Sequence, residues 1–499
     1  MKAFVRQFIM TSSTVRWLEI LYVFERKNNV STKELAKLTN SSTRTIINDI
    51  RQLKERFAGT ITIHSTQNGY SFKKNDSPSY QQIKQNLILN EPLLILLEAL
   101  FLGELLSFGE WVLKLHTSES SLLRQLKKME KILVPFCITL NYSPISFHGN
   151  ELDIRKFFHV LYYESDLTPH TIQPTKAVQK IVLDFFQSED GKIKNRNSFW
   201  SLCYWLYISL ERHKINQKIY IPQDLKNILL KDPSFISIHT LNDRLTDAFL
   251  LELPESELMY LYSLILCERT LDSPLVELNF IERNNHWPSL YKFTEDFCTH
   301  MEIPSDQLSP AVIFFQSFFL SEKLKNLLSP TYNLVIWEIE EHVTKYYSLE
   351  FAKIKMFVEK NELHLQGNML KELSIKLCLF FESVQLSYGH QPRRIAFLIE
   401  GDSHLQQHIK AFVTHHFSRY HFVSFPDSNS FSVSYIRDHD INLIVTNYMD
   451  YTEEYLNDID YLLMQTFPDA SDWNNLIQKL NPKILQTLSL SNTLDTKES

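Results

Sequence analysis

The chain has 499 residues, more than one ordinary hydrophobic core can hold, so several domains are expected. Its apolar fraction of 44% predicts a folded protein, and only 9 glycines argue against glycine-rich phosphate loops and favour a mostly helical body. The net charge is −7, but residues 1–150 carry 19 Lys and Arg against 12 Asp and Glu, which leaves residues 151–499 at −14.

Cysteine usage and apolar runs predict the compartment. The five cysteines are isolated from one another without a C-x-x-C pair, and their odd number favours reduced thiols. The N-terminus shows no signal-peptide pattern. The longest apolar run, residues 92–106, is interrupted by Glu98 and Glu104 and falls short of the roughly twenty residues of a membrane span. The sequence therefore predicts a cytoplasmic protein with no membrane partner.

Residues 1–30 are predicted to contain a supporting helix, and two further helices follow. Ser31 is a good N-cap with Glu34 three residues on, which predicts a capping box at the start of a short helix. Residues 39–41 end this helix and supply the cap of the next one, whose apolar positions recur at helical spacing. The buried face of that second helix is predicted to consist of Ile46, Ile47, Ile50, Leu53 and Phe57.

The opposite face of this second helix carries hydroxyl, amide and cationic side chains, the groups that reach bases and phosphates. They are Ser42, Thr43, Arg44, Thr45, Asn48, Arg51 and Lys54. Alternating apolar runs at residues 61–63 and 70–72 flank the turn pair Asn68-Gly69 and predict a hairpin. Residues 1–75 are therefore predicted to form a winged helix-turn-helix that binds duplex DNA. The alternative is a helical hairpin with a polar face.

A second copy of the pattern is predicted in residues 76–165, about 76 positions further on, together with a linker helix. The apolar helix 92–106 precedes a short helix at 108–115, a turn at 116–118, an amphipathic helix and a wing at 138–147. The apolar positions of the amphipathic helix are Leu122, Leu123, Leu126, Met129 and Leu133. Its polar side carries Ser120, Ser121, Arg124, Lys127 and Lys128. The alternative is a hairpin that only positions the first unit.

Long amphipathic helices with few strand signals fill the middle of the chain. They predict two tandem helical bundles, residues 166–288 and 289–390. After residue 392 the pattern changes to a strand at 394–399, a helix at 404–417 and strands at 420–425 and 441–446. This alternation predicts a small α/β domain with a parallel sheet in residues 391–499.

The order of these parts resembles the Mga/AtxA-type transcriptional regulators of Gram-positive bacteria. The resemblance rests on L-A-K-L-x-x-S-S-x-R-T-I-x-x-D-I in the first unit and I-T-L-N-Y-S-P-I-S-F-H-G-N-E-L-D-I-R-K-F in the second. The bundles resemble phosphotransferase-system regulation domains (PRDs), chiefly through L-P-E-S-E-L-M-Y-L-Y-S-L-I, and the last domain resembles an enzyme IIB component. The resemblance implies a DNA-binding regulator, an activator, that forms homodimers or higher oligomers and is phosphorylated on histidine by the phosphocarrier HPr.

The sequence departs from the regulation-domain pattern at two positions where the resemblance implies a phosphorylated histidine. Trp205 and Leu264 stand where such domains usually carry histidine. His213 and His342 are the remaining candidates, and the alternative for each is an ordinary surface histidine. A phosphate would add about −1.5 to −2 charge, on a surface expected to lie beside Arg212 and Lys214, or beside Lys345.

No catalytic residue, metal ligand or cofactor is predicted. An active enzyme IIB has a cysteine or histidine after its first strand. No cysteine follows Cys378 here, and His404, the only nearby nucleophile, is expected to begin a helix, so the last domain is expected to serve self-association. His404 and His408 share a helix but lack the glutamate of a zincin motif. Two competing interpretations are an RNA-binding antiterminator, which also carries paired regulation domains, and a phosphotransferase component with turnover.

Overall fold

The computed structural model of the protein describes residues 3–27, 29–67, 69–164, 172–187, 199–303, 308–335, 337–361, 368–388, 393–427, 431–449 and 459–480. The chain divides into two compact units, Met1–Val384 and Gln385–Ser499, and each is taken by itself. The predicted turn residue Asn68 lies outside the described residues. The five domain boundaries given above stay predictions.

The first part of the N-terminal unit is a winged helix-turn-helix. Its elements are α1 (Ala3–Arg6), α2 (Ser12–Phe24), β1 (Asn29–Val30), α3 (Thr32–Leu38), α4 (Thr43–Arg56), β2 (Ile61–Thr66) and β3 (Gly69–Lys74). The strands form one antiparallel sheet in the order β1-β3-β2. Ser31 Oγ accepts a hydrogen bond from the Glu34 backbone N–H at 3.1 Å, which caps α3 as expected.

A second winged helix-turn-helix follows. Its elements are α5 (Ser77–Asn86), α6 (Pro92–Phe101), α7 (Phe108–Lys114), α8 (Glu119–Leu133), β4 (Thr139–Tyr142) and β5 (Ile145–His148). Helix α6 ends at Phe101 rather than at residue 106, because Gly103 adopts a left-handed conformation and the Glu104 N–H bonds back to the Ala99 carbonyl at 2.8 Å. A complete capping box, Ser107 with Glu110, starts α7.

The predicted internal repeat is present in the backbone. Helices α3 and α7 begin 76 positions apart, and so do α4 and α8. The turn between the two helices contains one left-handed residue in each unit, Asn40 and His116, both at φ 48°. The two caps also correspond, since Ser42 and Ser118 each accept a hydrogen bond from the backbone N–H three residues on. Both units therefore use one helix-turn-helix geometry.

Helices dominate the remainder of this unit. They are α9 (Glu151–Tyr162), α10 (Lys176–Gln187), α11 (Phe199–Lys214), α12 (Gln223–Leu229), α13 (His239–Phe249), α14 (Glu255–Leu266), α15 (Pro274–Asn284), α16 (Ser289–His300), α17 (Leu308–Leu328), α18 (Trp337–Tyr346), α19 (Ser348–Lys360) and α20 (Asn368–Tyr388). The long helix α17 packs against α15 and α16. Among the described residues, none of the helices combines the length and the apolar character needed to cross a membrane.

Helix α9 is buried along its whole length although much of it is charged. Arg155 donates to both carboxylate oxygens of Glu257, at 2.5 and 2.8 Å, and to Glu151 at 3.1 Å. The other oxygen contacts of Glu151 come from Arg212, at 2.8 and 2.7 Å. A buried charge is tolerated only when it is paired and hydrogen-bonded. These four side chains therefore hold α9 to α11 and α14.

The C-terminal unit is a parallel α/β structure, as predicted. Its elements are β6 (Arg394–Leu398), α21 (Ser403–Phe417), β7 (Phe422–Ser424), α22 (Val433–Asp438), β8 (Leu443–Thr446), β9 (Asp460–Leu463) and α23 (Ala470–Leu480). The strand order is β7-β6-β8-β9, and every pair is parallel. Strand β7 is shorter than the predicted 420–425, because Tyr420 and His421 close the turn after α21 through hydrogen bonds to the Phe417 carbonyl.

The buried charge network gives a stability prediction. Glu257→Ala leaves Arg155 in the interior without its bidentate partner, and we expect the free energy of unfolding to fall by roughly 3–5 kcal/mol. Urea denaturation of the full chain, followed by tryptophan fluorescence, measures the change. Glu255→Ala is the matched control, because this exposed carboxylate of the same helix lies 4.0 Å from Lys226, and it should cost less than about 1 kcal/mol. Equal effects of the two substitutions would contradict the assignment.

Candidate nucleic-acid interface

Helix α4 presents the predicted polar face to solvent. Thr43, Arg44, Asn48, Arg51 and Lys54 are exposed, Thr45 is half-buried, and the exposed Ser42 caps the helix. The Arg51 guanidinium donates to Asn48 Oδ1 at 2.9 Å, so these two side chains lie together on the surface. Hydroxyl, amide and guanidinium groups on one helical face match the hydrogen-bonding groups of base edges and phosphates.

The prediction that Ile47 belongs to the buried face is wrong. Its side chain is 54% exposed, whereas Ile46 and Ile50 are buried. Because successive residues are turned by about 100° around a helix, the residue that follows Ile46 faces away from the core. Ile47 therefore lies among the polar residues, one helical turn from Thr43 and one from Arg51.

Asp49 is a buried residue that the sequence analysis did not single out, and it positions α4. It is 2% exposed, and its carboxylate accepts hydrogen bonds from Arg16 at 2.8 and 3.1 Å and from the Trp17 indole N–H at 2.9 Å. The hydrogen bond to Asp49 raises the pKa of Arg16, although burial opposes it. This contact fixes α4 against α2 and thereby sets the direction of the polar face. The available signal was an acid at the register of Ile46, Ile50 and Leu53.

Helix α8 carries a similar, more cationic face. Ser120, Arg124, Lys127 and Lys128 are exposed, and Ser121 is half-buried. A shallow concave surface of about 460 Å³ is lined by Ser120, Leu123, Arg124, Lys127, Lys128 and Lys131. Leu123 is 39% exposed, so its predicted place in the apolar stripe is also wrong. Gln125 is buried at the position that corresponds to Asp49, and its Oε1 has no hydrogen-bond partner among the described residues.

The first wing is placed by one glycine. Gly69 has φ +133°, and a Cβ atom there would stand 2.2 Å from the Val30 carbonyl oxygen. The turn therefore passes too close to β1 for any side chain. Beside it, His64, Ser65, Thr66 and Gln67 are exposed. The hairpin tip thus offers further polar side chains on the same winged helix-turn-helix.

The two phosphorylation candidates lie on helices. His213 is half-buried in the last turn of α11, and His342 is exposed on α18. The expectation that Arg212 would stand beside a phosphate on His213 is wrong, because Arg212 is buried and bound to Glu151. Lys214 is exposed and pairs with Glu211 at 2.6 Å.

His159 is a buried histidine that the sequence analysis did not identify as a candidate. Trp205, the residue in place of the usual histidine, stacks on His159 with the ring centroids 3.6 Å apart. Burial lowers the pKa of His159 to about 4, against the effect of Glu164, so the ring is neutral at pH 7. His159 Nδ1 lies 3.2 Å from Glu164 Oε1, and Nε2 has no partner among the residues that the structure describes.

In the C-terminal unit, the loop after β6 is tied to the loop after β8. The Glu400 backbone N–H donates to Asn447 Oδ1, and Asn447 Nδ2 donates to the Glu400 carbonyl, both at 2.8 Å. His404 and His408 are exposed on α21. Within the described part of the chain, no three His, Cys, Asp or Glu side chains are grouped as metal ligands.

Both helix-turn-helix units match models of known domains. Residues 76–162 match the model of the Mga helix-turn-helix domain, and residues 16–71 match that of an HTH domain. A protein of Streptococcus pneumoniae serotype 4 (strain ATCC BAA-334 / TIGR4), described as "Putative trans-acting regulator", is 27% identical over 158 residues, or 31% of this chain. The match spans 32% of that relative's length. These findings confirm the resemblance to Mga-type transcriptional regulators.

Proposed function

We propose that the protein is a transcriptional regulator, an activator, that binds duplex DNA through α4 and α8. The observation that carries the proposal is the repeated helix-turn-helix, in which both second helices expose hydroxyl and cationic side chains. A recognition helix of this kind enters the major groove with its N-terminal residues against the base edges. The relative described as a trans-acting regulator supports the same function.

Charge favours the same interpretation. The +7 balance of residues 1–150 is carried partly by Arg44, Arg51 and Lys54 on α4 and by Lys127 on α8, all exposed. Cations that neutralise phosphates release bound counterions, so affinity depends steeply on salt. The acidic remainder of the chain, at −14, would repel a duplex and confine it to the N-terminal region.

DNA binding is tested by salt titration. A fluorescent random-sequence duplex is bound to the full chain, and anisotropy gives Kd at several salt concentrations. Lys127→Ala should reduce the slope of log K against log salt by about 1 if it contacts a phosphate. Lys355→Ala, an exposed lysine on α19, is the control and should leave the slope unchanged. A preference for hairpin RNA over duplex DNA would favour the antiterminator and contradict this proposal.

Phosphorylation by HPr is a second layer of the proposal. His213 and His342 are accessible on helices of the central region, and a phosphate on His213 would lie near Lys214 rather than Arg212. The added charge of about −1.5 to −2 would then alter helix packing by local electrostatics.

Phosphotransfer can be measured directly. Phosphorylated HPr should label the wild-type chain and leave a His213→Ala/His342→Ala variant unlabelled. His404→Ala/His408→Ala, which removes two exposed histidines of α21, is the matched control and should keep full labelling. Undiminished labelling of the first variant would exclude both candidate residues.

Homodimerisation through the C-terminal unit completes the proposal. Strand β7 lies at the edge of the parallel sheet; its first residue, Phe422, is 57% exposed, and Tyr420, just before the strand, is 66% exposed. A sheet edge with large apolar neighbours favours association. Removal of residues 391–499 should therefore lower the molecular mass in sedimentation equilibrium from that of a dimer to that of a monomer. A truncated chain that keeps the subunit number of the full chain would contradict this role.

A further inference from the structure

Each recognition helix exposes one large apolar residue at the same position. Ile47 is the fifth residue of α4 and Leu123 the fifth residue of α8, and they lie 76 positions apart. Both side chains are substantially exposed, at 54% and 39%. Neither belongs to the stripe that packs on the core, which includes Ile46, Ile50 and Leu53 in α4 and Leu122, Leu126 and Met129 in α8.

The surroundings of these two residues indicate the chemistry of their partner. Ile47 lies one helical turn from Thr43 and from Arg51, beside Asn48, and Leu123 lines a surface with Ser120, Arg124 and Lys127. An apolar group on a face that also carries cations does not suit a second copy of the same face, because like charges would be brought together. A polyanion that carries an isolated apolar group would complement both the cations and the exposed apolar side chain.

The major groove of duplex DNA offers that apolar group. Its base edges carry hydrogen-bond donors and acceptors, and the 5-methyl group of thymine is their aliphatic contact point. The fifth residue of a recognition helix belongs to the N-terminal half, which approaches the base edges most closely. Thr43, Asn48 and Arg51 around Ile47 could bond neighbouring bases and phosphates at the same time.

We propose that Ile47 and Leu123 each contact a thymine 5-methyl group and make the protein select thymine at one position under each recognition helix. The inference rests on the proposed DNA binding and adds the base that is read. Removing one buried methyl group from such a contact weakens binding by about fourfold.

The test removes the methyl group from the DNA and leaves the protein unchanged in the first step. The full chain is first used to select duplexes from a randomised library. The selected duplex is then resynthesised with deoxyuridine at one thymine at a time, and Kd is measured by fluorescence anisotropy. We expect about a fourfold loss of affinity at one thymine per recognition helix. Ile47→Ala should abolish the loss at one of these positions, and Leu123→Ala at the other.

One further variant serves as the control, and the results that would contradict the inference differ from those that would contradict DNA binding. Leu113→Ala removes a 75%-exposed leucine of α7 and should keep both losses. Equal Kd for thymine and deoxyuridine at every position would overturn the inference while leaving DNA binding intact. Losses that persist in the Ile47→Ala and Leu123→Ala variants would overturn it as well. Failure to select any duplex would instead remove the proposed function, and with it this inference.

Discussion

The pairing of buried charges along α9 is the interaction on which the packing of the N-terminal unit depends. Glu151 and Arg155 bind Arg212 and Glu257, which come from two different helices, α11 and α14. Asp153 accepts hydrogen bonds from Ser329 and Thr331, in the segment that follows α17. Burial of any one of these charges without its partner would be strongly unfavourable. The helix is therefore held simultaneously by three separate parts of the helical region.

The same helix also packs against both helix-turn-helix segments of the unit. Phe157 packs edge-on against Phe8, Phe136 and Phe147, which come from both helix-turn-helix segments, with ring centroids 5.4–6.0 Å apart. Arg212 also donates to the carbonyl oxygens of Leu100 and Phe101 at the end of α6. Helix α9 thus connects the two helix-turn-helix segments to α11, the helix that carries His213. A displacement of α11 or α14 would be transmitted to α9 through ion pairs rather than through a flexible linker.

Much of this arrangement could be predicted from the sequence, and its failures have specific physical causes. Caps such as Ser31 and Ser42 act through local hydrogen bonds, so the helix starts and the repeat were readable. Ile47 and Leu123 were assigned to the core because residue type alone does not distinguish an exposed apolar residue from the buried apolar residue beside it. The burial of Asp49 and of the charges of α9 was missed for a related reason. The partners that Asp49, Glu151, Asp153 and Arg155 find on other elements are 32 to 178 positions away, and an isolated charge in a helix resembles a solvated one.

Complete burial of α9 also restricts how this chain can diversify. Surface helices accept most single replacements, since water solvates whatever charge is left behind. At Glu151, Arg155 and Glu257 that freedom is absent, because each change strands an opposite charge in the interior. Variants of this protein should therefore alter these positions only in matched sets, or replace the whole cluster with apolar residues, whereas the exposed positions of α4 and α8 carry no such restriction.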